Sequence, residues 1–103
     1  MDSVISQLKE NLQVLYRKAI DADSALSQLQ SQGKGKFGSI FDKSSGFQVS
    51  SKQFKPYVEE LAKDIDLLQE ADEANMQQLL SKVVKKMESM FRTLAHFQDS
   101  LKD

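Results

Sequence analysis

Few side chains in this sequence could perform acid–base or metal chemistry. His96 is the only histidine, and the chain has no cysteine. Asp99 follows His96 by three residues and could complete half of a metal site, but a lone histidine near a helix C-terminus also suits an exposed position that favours a cation. A zinc site needs about four ligands at suitable spacing. We therefore expect no metal, no cofactor and no histidine-based catalysis.

Three further patterns resemble functional sites only superficially. The segment GKGKFG, residues 33–38, has the glycines and lysines of a phosphate-binding loop, but it follows a helical pattern and lacks the GxxxxGK[ST] spacing. The serines of residues 44–51 have neither a GxSxG turn nor a base partner, and they are typical of turns and caps. The carboxylates of residues 59–73 have the spacing of a solvated helix face. The sequence therefore predicts a protein that is not an enzyme.

Charge is nearly balanced overall but segregated along the chain. The formal net charge is -1, which argues against a dedicated nucleic-acid binder. Residues 33–56 carry +4 and residues 57–75 carry -6. In the basic stretch, lysines are interleaved with aromatic residues, a pattern that suits an acidic peptide or a nucleic-acid strand, or else a solvated loop above buried rings. The candidate partner-binding residues are Lys34, Lys36, Phe37, Phe41, Asp42, Lys43, Phe47 and Tyr57.

Three segments that would position these residues show helical periodicity. Apolar residues recur at alternating intervals of three and four from Ile5 to Leu29, from Phe54 to Leu68 and from Met76 to Leu101. We expect helix 1 over about 2–31, a connector over 33–53, helix 2 over about 54–71 and helix 3 over about 73–102. Helix 2 should begin near Phe54, because Pro56 loses no hydrogen bond in a first turn. Asp72 can cap helix 3.

The connections between these helices predict the fold. A link of a few residues leaves helices 2 and 3 antiparallel, and helix 1 is long enough to cover the resulting hairpin. We expect one all-α domain over residues 1–103, an antiparallel three-helix bundle with an ordered Gly/Ser/aromatic connector between helices 1 and 2. No apolar run approaches the about 20 residues that cross a bilayer. Together with the absence of cysteine, this predicts a cytoplasmic protein without membrane contact.

Some apolar residues lie beside or off the periodic stripes. They either widen the core or remain exposed for a partner, because apolar patches on a surface commonly bind other proteins. These residues are Val14, Tyr16, Ile20, Leu67, Val84 and Phe91.

The order of these features resembles a known family. The matching positions, in chain order, are the run LQVLYRKAIDADSAL (12–26), Phe41, Asp42, Phe47, Phe54, Tyr57 and Glu60. Together with the third apolar helix, they are similar to the N-terminal domain of the bacterial primosomal replication protein PriC. The family element F-D-x-x-[LW]-F matches Phe41, Asp42 and Phe47, with one additional residue before the last aromatic here.

The resemblance implies a role in replication restart. PriC proteins recognise stalled forks and help to load the replicative helicase DnaB onto DNA coated with single-stranded-DNA-binding protein (SSB), without catalytic activity of their own. In proteins of this family, a basic second half follows the helical first domain and carries much of the binding to DNA and to SSB. We therefore expect this chain to be the N-terminal, protein-contacting part of a longer protein, with weak or no direct nucleic-acid binding.

The sequence is compatible with more than one oligomeric state. We expect a monomer whose connector and flanks contact the helicase. The alternative is a helical binding module or chaperone-like self-associating bundle unrelated to replication, because the three–four spacing suits helix association between chains as well as within one.

Overall fold

The described part of the chain consists of helices and their links. The computed structural model describes residues 2–32 and 46–101. This part contains three helices and no strand: α1 (Asp2–Ser31), α2 (Lys55–Glu70) and α3 (Glu73–Leu101). The prediction of an all-α chain with three helices is confirmed for these residues. None of the described helices combines the length and the apolar character that crossing a membrane requires.

The beginning of α2 is capped by a side chain of α1. Pro56 lies in the first turn, and Phe54 in the N-cap position provides no side-chain hydrogen bond. Instead, the backbone N–H groups of Phe54 and Lys55 donate to the two carboxylate oxygens of Asp23, at 2.6 Å to Oδ1 and 3.0 Å to Oδ2. Asp23 thereby satisfies donors that a helix N-terminus leaves without an intrahelical partner.

Two residues separate α2 from α3. Ala71 has an extended backbone (ψ 147°), which ends α2. Asp72 Oδ1 then accepts hydrogen bonds from the backbone N–H and the side-chain amide of Asn75, both at 3.0 Å. Asp72 therefore caps α3, as the sequence predicts.

All three helices contribute side chains to one apolar core. Leu12, Met76, Leu80 and Phe97 belong to the predicted stripes but are only partly buried, and they pack against the edge of this core. The buried apolar residues are Ile5, Leu8, Leu15, Ala19, Ala22, Leu26, Phe47, Phe54, Tyr57, Val58, Leu61, Ile65, Leu68, Val83, Met87, Met90 and Leu94.

Candidate functional site

The predicted partner-binding residues fall into two groups. Lys34, Lys36, Phe37, Phe41, Asp42 and Lys43 lie outside the described residues. Phe47 and Tyr57 are described, and their exposed fractions are 5% and 0%. Both rings are part of the core, so neither presents a surface to a partner.

Phe47 is held between Tyr57 and Lys86. Its ring meets the Tyr57 ring edge-on, with centroids 5.0 Å apart and an interplanar angle of 80°. The Lys86 Nζ atom lies 5.3 Å from the Phe47 centroid, a distance at which a cation is attracted to the face of a ring. The Tyr57 hydroxyl accepts from the backbone N–H of Ser51 at 2.8 Å and donates to its carbonyl at 3.0 Å. These contacts hold residues 47–51 against α2 and α3.

Lys86 is also the centre of an ionic cluster, which we define as Lys86, Glu60 and Asp64. The Lys86 ammonium donates to Glu60 Oε2 and to Asp64 Oδ2, each at 2.7 Å. Glu60 in turn accepts from the backbone N–H groups of Gln48, at 2.9 Å, and Val49, at 2.8 Å. One buried cation thus joins α3, α2 and the segment before α2.

Protonation in the ionic cluster follows from these contacts. Burial alone would raise the pKa of Glu60, but the hydrogen bonds from Lys86, Val49 and Gln48 outweigh burial and hold this pKa below its ordinary value. Burial alone would lower the pKa of Lys86, but its hydrogen bonds to Asp64 and Glu60 outweigh burial and raise it. Glu60 and Lys86 are therefore both charged near neutral pH.

The chemistry of the ionic cluster is that of a structural clamp. A protonated lysine has no lone pair for nucleophilic attack or proton abstraction. Every buried side-chain nitrogen or oxygen atom of the described residues has a hydrogen-bond partner. The cluster was not anticipated from the sequence, in which Glu60 and Asp64 have the spacing of a solvated helix face.

A groove between α1 and α2 offers an apolar surface instead. Its volume is about 310 Å³. By helix register it lies along the side of α2 opposite the ionic cluster, because Val58 and Ala62 share one side of α2 while Glu60 and Asp64 share the other. The groove is lined by Leu12, Gln13, Tyr16 and Arg17 of α1 and by Val58, Glu59 and Ala62 of α2.

An exposed apolar stripe of α1 runs along this groove. Leu12, Tyr16 and Ile20 recur at intervals of four, which places them on one side of the helix. Tyr16 and Ile20 remain 42% and 46% exposed. Val14 is similarly exposed, at 44%, but its position two residues before Tyr16 puts it on a different face.

Sequence reasoning identified Tyr16 and Ile20 as residues beside the core stripe, but it missed the groove. The spacing of α1 alone does not reveal that Val58 and Ala62 form the opposite wall. The signal that was available is the second stripe of Leu12, Tyr16 and Ile20 next to the core stripe.

The other predicted exposed residues are distributed over the remaining surface. Leu67 is 56% exposed and lies in a cleft between α2 and α3, where Asp64 and Lys86 already bind each other. Val84 is exposed on α3, whereas Phe91 packs against the core. His96 is exposed, and no three metal-ligating side chains come together within residues 2–32 and 46–101. The cleft at Leu67 is thus occupied by charged groups, whereas the lining of the groove between α1 and α2 is mostly apolar.

Comparison with known proteins finds no matching family model, no significantly similar curated protein and no significantly similar solved structure.

Proposed function

We propose that this chain is a non-enzymatic protein-interaction domain of a bacterial, cytoplasmic replication-restart factor that helps to load the replicative helicase at stalled forks. The proposed partners are DnaB and SSB, and the proposed domain has little affinity of its own for nucleic acid. The sequence resemblance to PriC supports the choice of pathway. The groove between α1 and α2 is the observation that supports protein interaction.

The groove supports this proposal because it exposes apolar surface that the fold itself does not bury. Val58 forms part of its wall and is 2% exposed, whereas Tyr16 on the opposite wall is 42% exposed. Aromatic side chains at the edge of an apolar pocket are frequent anchors of protein interfaces. A partner that covered Tyr16 would continue the core outward.

The finer architecture that we propose is the antiparallel bundle with an ordered connector. Phe54 at the beginning of α2 contacts Phe97 near the end of α3, with ring centroids 5.7 Å apart. Asp23, late in α1, caps the beginning of α2, whereas Leu12 shares the groove with Ala62 further along α2. These pairings support opposite directions for consecutive helices. The contacts of Phe47 and Ser51 support order in residues 47–51 of the connector.

A titration of the isotope-labelled chain with purified DnaB tests the proposed function. Parallel samples receive an SSB tail peptide or a single-stranded oligonucleotide. We expect amide signals to be lost with DnaB, because a bound chain tumbles with the large helicase. At physiological salt the oligonucleotide should leave the signals unchanged; tight binding that falls steeply with salt would contradict the assignment of DNA contact to another part of the protein.

Matched variants identify the surface of the chain that contacts the helicase in this titration. Tyr16→Asp places a charge in the groove and should weaken helicase binding by about tenfold or more, the usual cost of losing an apolar anchor. Val14→Asp introduces the same charge at a site of nearly equal exposure on another face of α1, and it should leave binding within about twofold of wild type. Ile20→Asp is a second variant, on the same side of α1 as Tyr16, in case Tyr16→Asp unfolds, which a thermal melt reports. An unchanged spectrum with DnaB, at a chain concentration of about 100 µM, would reject the proposal.

A self-associating helical module unrelated to replication is the second candidate. The exposed Tyr16 and Ile20 on one side of α1 favour it, because the same stripe could pack against another copy. Its distinguishing outcome is a mass that rises with chain concentration in the absence of any partner.

A further inference from the structure

We propose that residues 46–53, which we call the strap, open and close as one unit while α1, α2 and α3 stay folded, and that the ionic cluster holds the strap shut. The strap leads into α2 and has neither helix nor strand structure. This inference goes beyond the proposed function and does not depend on it, because it concerns contacts within the chain.

The strap buries little apolar surface of its own. Phe47 is the only buried residue of the strap, with an exposed fraction of 5%. Ser51 is half-buried, and the other six residues are exposed. The 16 residues of α2, by contrast, include five buried ones. Because burial of apolar surface supplies much of the free energy that holds a segment in place, the strap should open at a smaller cost than the helices.

Three backbone N–H groups of the strap donate to two side chains of α2. The Glu60 carboxylate accepts from the N–H of Gln48 through both oxygens, at 2.9 Å and 3.1 Å, and from that of Val49 at 2.8 Å. The Tyr57 hydroxyl bonds both backbone groups of Ser51. Tyr57 and Glu60 are three residues apart and are therefore neighbours on the surface of α2. A movement that breaks one set of bonds also draws the strap away from the other.

Lys86 supports the strap from the side of α3. Its ammonium donates to the Glu60 carboxylate at 2.7 Å and lies 5.3 Å from the centroid of the Phe47 ring. The same cation therefore contacts the polar anchor of the strap and its apolar anchor. A change at Glu60 reaches both anchors through Lys86, which is the physical basis for a cooperative unit.

The two ends of the strap differ in freedom. Phe54, directly after the strap, is 2% exposed, and its backbone N–H donates to Asp23 at 2.6 Å. Gly46, at the other end, has a φ of 92°, a left-handed conformation that glycine adopts without steric cost. A Cβ at this position would face open space. Since hinges often lie at small residues that absorb changes of φ and ψ, we place the hinge at Gly46 and the fixed end at Phe54.

Opening would join two clefts on the face between α2 and α3. These clefts have volumes of about 540 Å³ and 440 Å³, and Asp64, Leu67 and Lys86 line both of them. Gln48 is the strap residue that lines both. When the strap leaves, the clefts lose this common wall, and the ring of Tyr57 loses its edge-on cover. The open state therefore has a longer groove with an aromatic surface that the closed state conceals.

Amide hydrogen exchange of the whole chain, followed by NMR, tests the strap. The N–H groups of Gln48, Val49 and Ser51 should have protection factors that agree within about threefold, because one opening event frees all three. The N–H groups of Leu61 and Ile65 in α2 should be protected about 100-fold more strongly or better. Low concentrations of urea should accelerate exchange steeply in the helix and only slightly in the strap, because opening the strap exposes little surface.

Glu60→Gln distinguishes one unit from a set of independent contacts. It removes the charge that Lys86 faces, so exchange of all three strap amides should become about tenfold faster. The Ser51 amide is decisive, because it donates to Tyr57 and not to Glu60. Glu59→Gln changes the neighbouring exposed carboxylate of α2 and is the matched control, which should alter none of these rates by more than about twofold.

Two further variants act on the strap from other positions. Tyr57→Phe keeps the buried ring but removes the hydroxyl, and it should accelerate exchange at Gln48 and Val49 as much as at Ser51. Gly46→Ala removes none of these contacts but strains the closed conformation, so it should accelerate the same three amides about threefold or more.

Three results would overturn the inference. Strap amides as strongly protected as those of α2, with the same urea dependence, would mean that the strap leaves only when the whole chain unfolds. Exchange at the rates of an unfolded peptide would mean that the strap is not held shut. A response to Glu60→Gln that is confined to Gln48 and Val49 would mean that the contacts are separate and form no unit.

Discussion

At the residue scale, Lys86 connects three parts of the molecule. It donates to Glu60 and Asp64 at 2.7 Å each, and its ammonium lies over the ring of Phe47. A buried ion pair adds little compared with apolar residues of the same shape, but removing one partner leaves a charge without compensation. Replacing one member of the ionic cluster should therefore lower the free energy of unfolding, because the remaining charge loses its partner.

Glu60→Gln tests the clamp. The amide can still accept a hydrogen bond from Gln48 or Val49, but it loses the charge that Lys86 faces, so we expect a loss of about 1–2 kcal/mol in the free energy of unfolding at pH 7. Urea unfolding measures this loss. Glu59→Gln is the matched control, because Glu59 is the neighbouring exposed carboxylate of α2, and it should change stability by less than about 0.5 kcal/mol. Equal effects of the two variants would refute the clamp.

The stability difference between wild type and Glu60→Gln should also depend on pH. The pKa of Glu60 is lower in the folded chain than its ordinary value of 4.5. Its contribution to stability is therefore complete above the unfolded pKa and is lost as the pH falls through the folded pKa. The difference between wild type and Glu60→Gln should be constant from pH 6 to 8 and shrink below about pH 4.5. The raised pKa of Lys86 preserves its own contribution until the pH exceeds 10.5.

At the element scale, the beginning of α2 depends on α1. The N-cap residue, Phe54, has no side chain that can accept a hydrogen bond, and Asp23 supplies both acceptors from α1. Pro56 restricts the first turn to helical φ but contributes no donor. The helix therefore begins where the local sequence allows it and is capped from elsewhere in the fold.

Asp23→Ala should destabilise the chain by about 1–2 kcal/mol, because two backbone donors of α2 lose a charged acceptor. Asp21→Ala removes an exposed carboxylate two residues earlier on α1 and is the control. Chemical denaturation of both variants measures the difference. If Asp21→Ala costs as much as Asp23→Ala, the cap has no specific role and only the charge of α1 matters.

At the scale of the whole molecule, the three helices bury one core and leave the groove open along α1 and α2. Most of the apolar residues at periodic positions are already used within the chain. The exposed stripe of Tyr16 and Ile20 is short compared with the 30 residues of α1. An isolated stripe of this size is small for a stable dimer, which typically buries about 800 Å² per partner.

We therefore expect sedimentation analysis to report a monomer at protein concentrations of tens of micromolar. Wild type and Tyr16→Asp should then give the same mass. A wild-type mass that rises with concentration, and that Tyr16→Asp returns to the monomer value, would favour the self-associating module over the replication-restart domain.

Local chain features sufficed for much of the fold. The alternation of three and four residues predicts three helices, because it repeats within a few turns of one segment. Asp72 is recognisable from the sequence as a helix cap because the backbone N–H that it accepts from, that of Asn75, is only three residues away. The same periodicity predicts most of the core residues in these helices. Leu12 and Phe97 are exceptions, because they occupy stripe positions but lie only at the edge of the core.

The contacts between helices were decided by tertiary structure. Asp23 and Phe54 are 31 residues apart, and Glu60 and Lys86 are 26 residues apart. Their meeting depends on how far each helix is rotated and shifted against the next, which short-range spacing does not encode. For the same reason Tyr16 could be placed beside the core stripe from the sequence, but the groove that it shares with Ala62 could not.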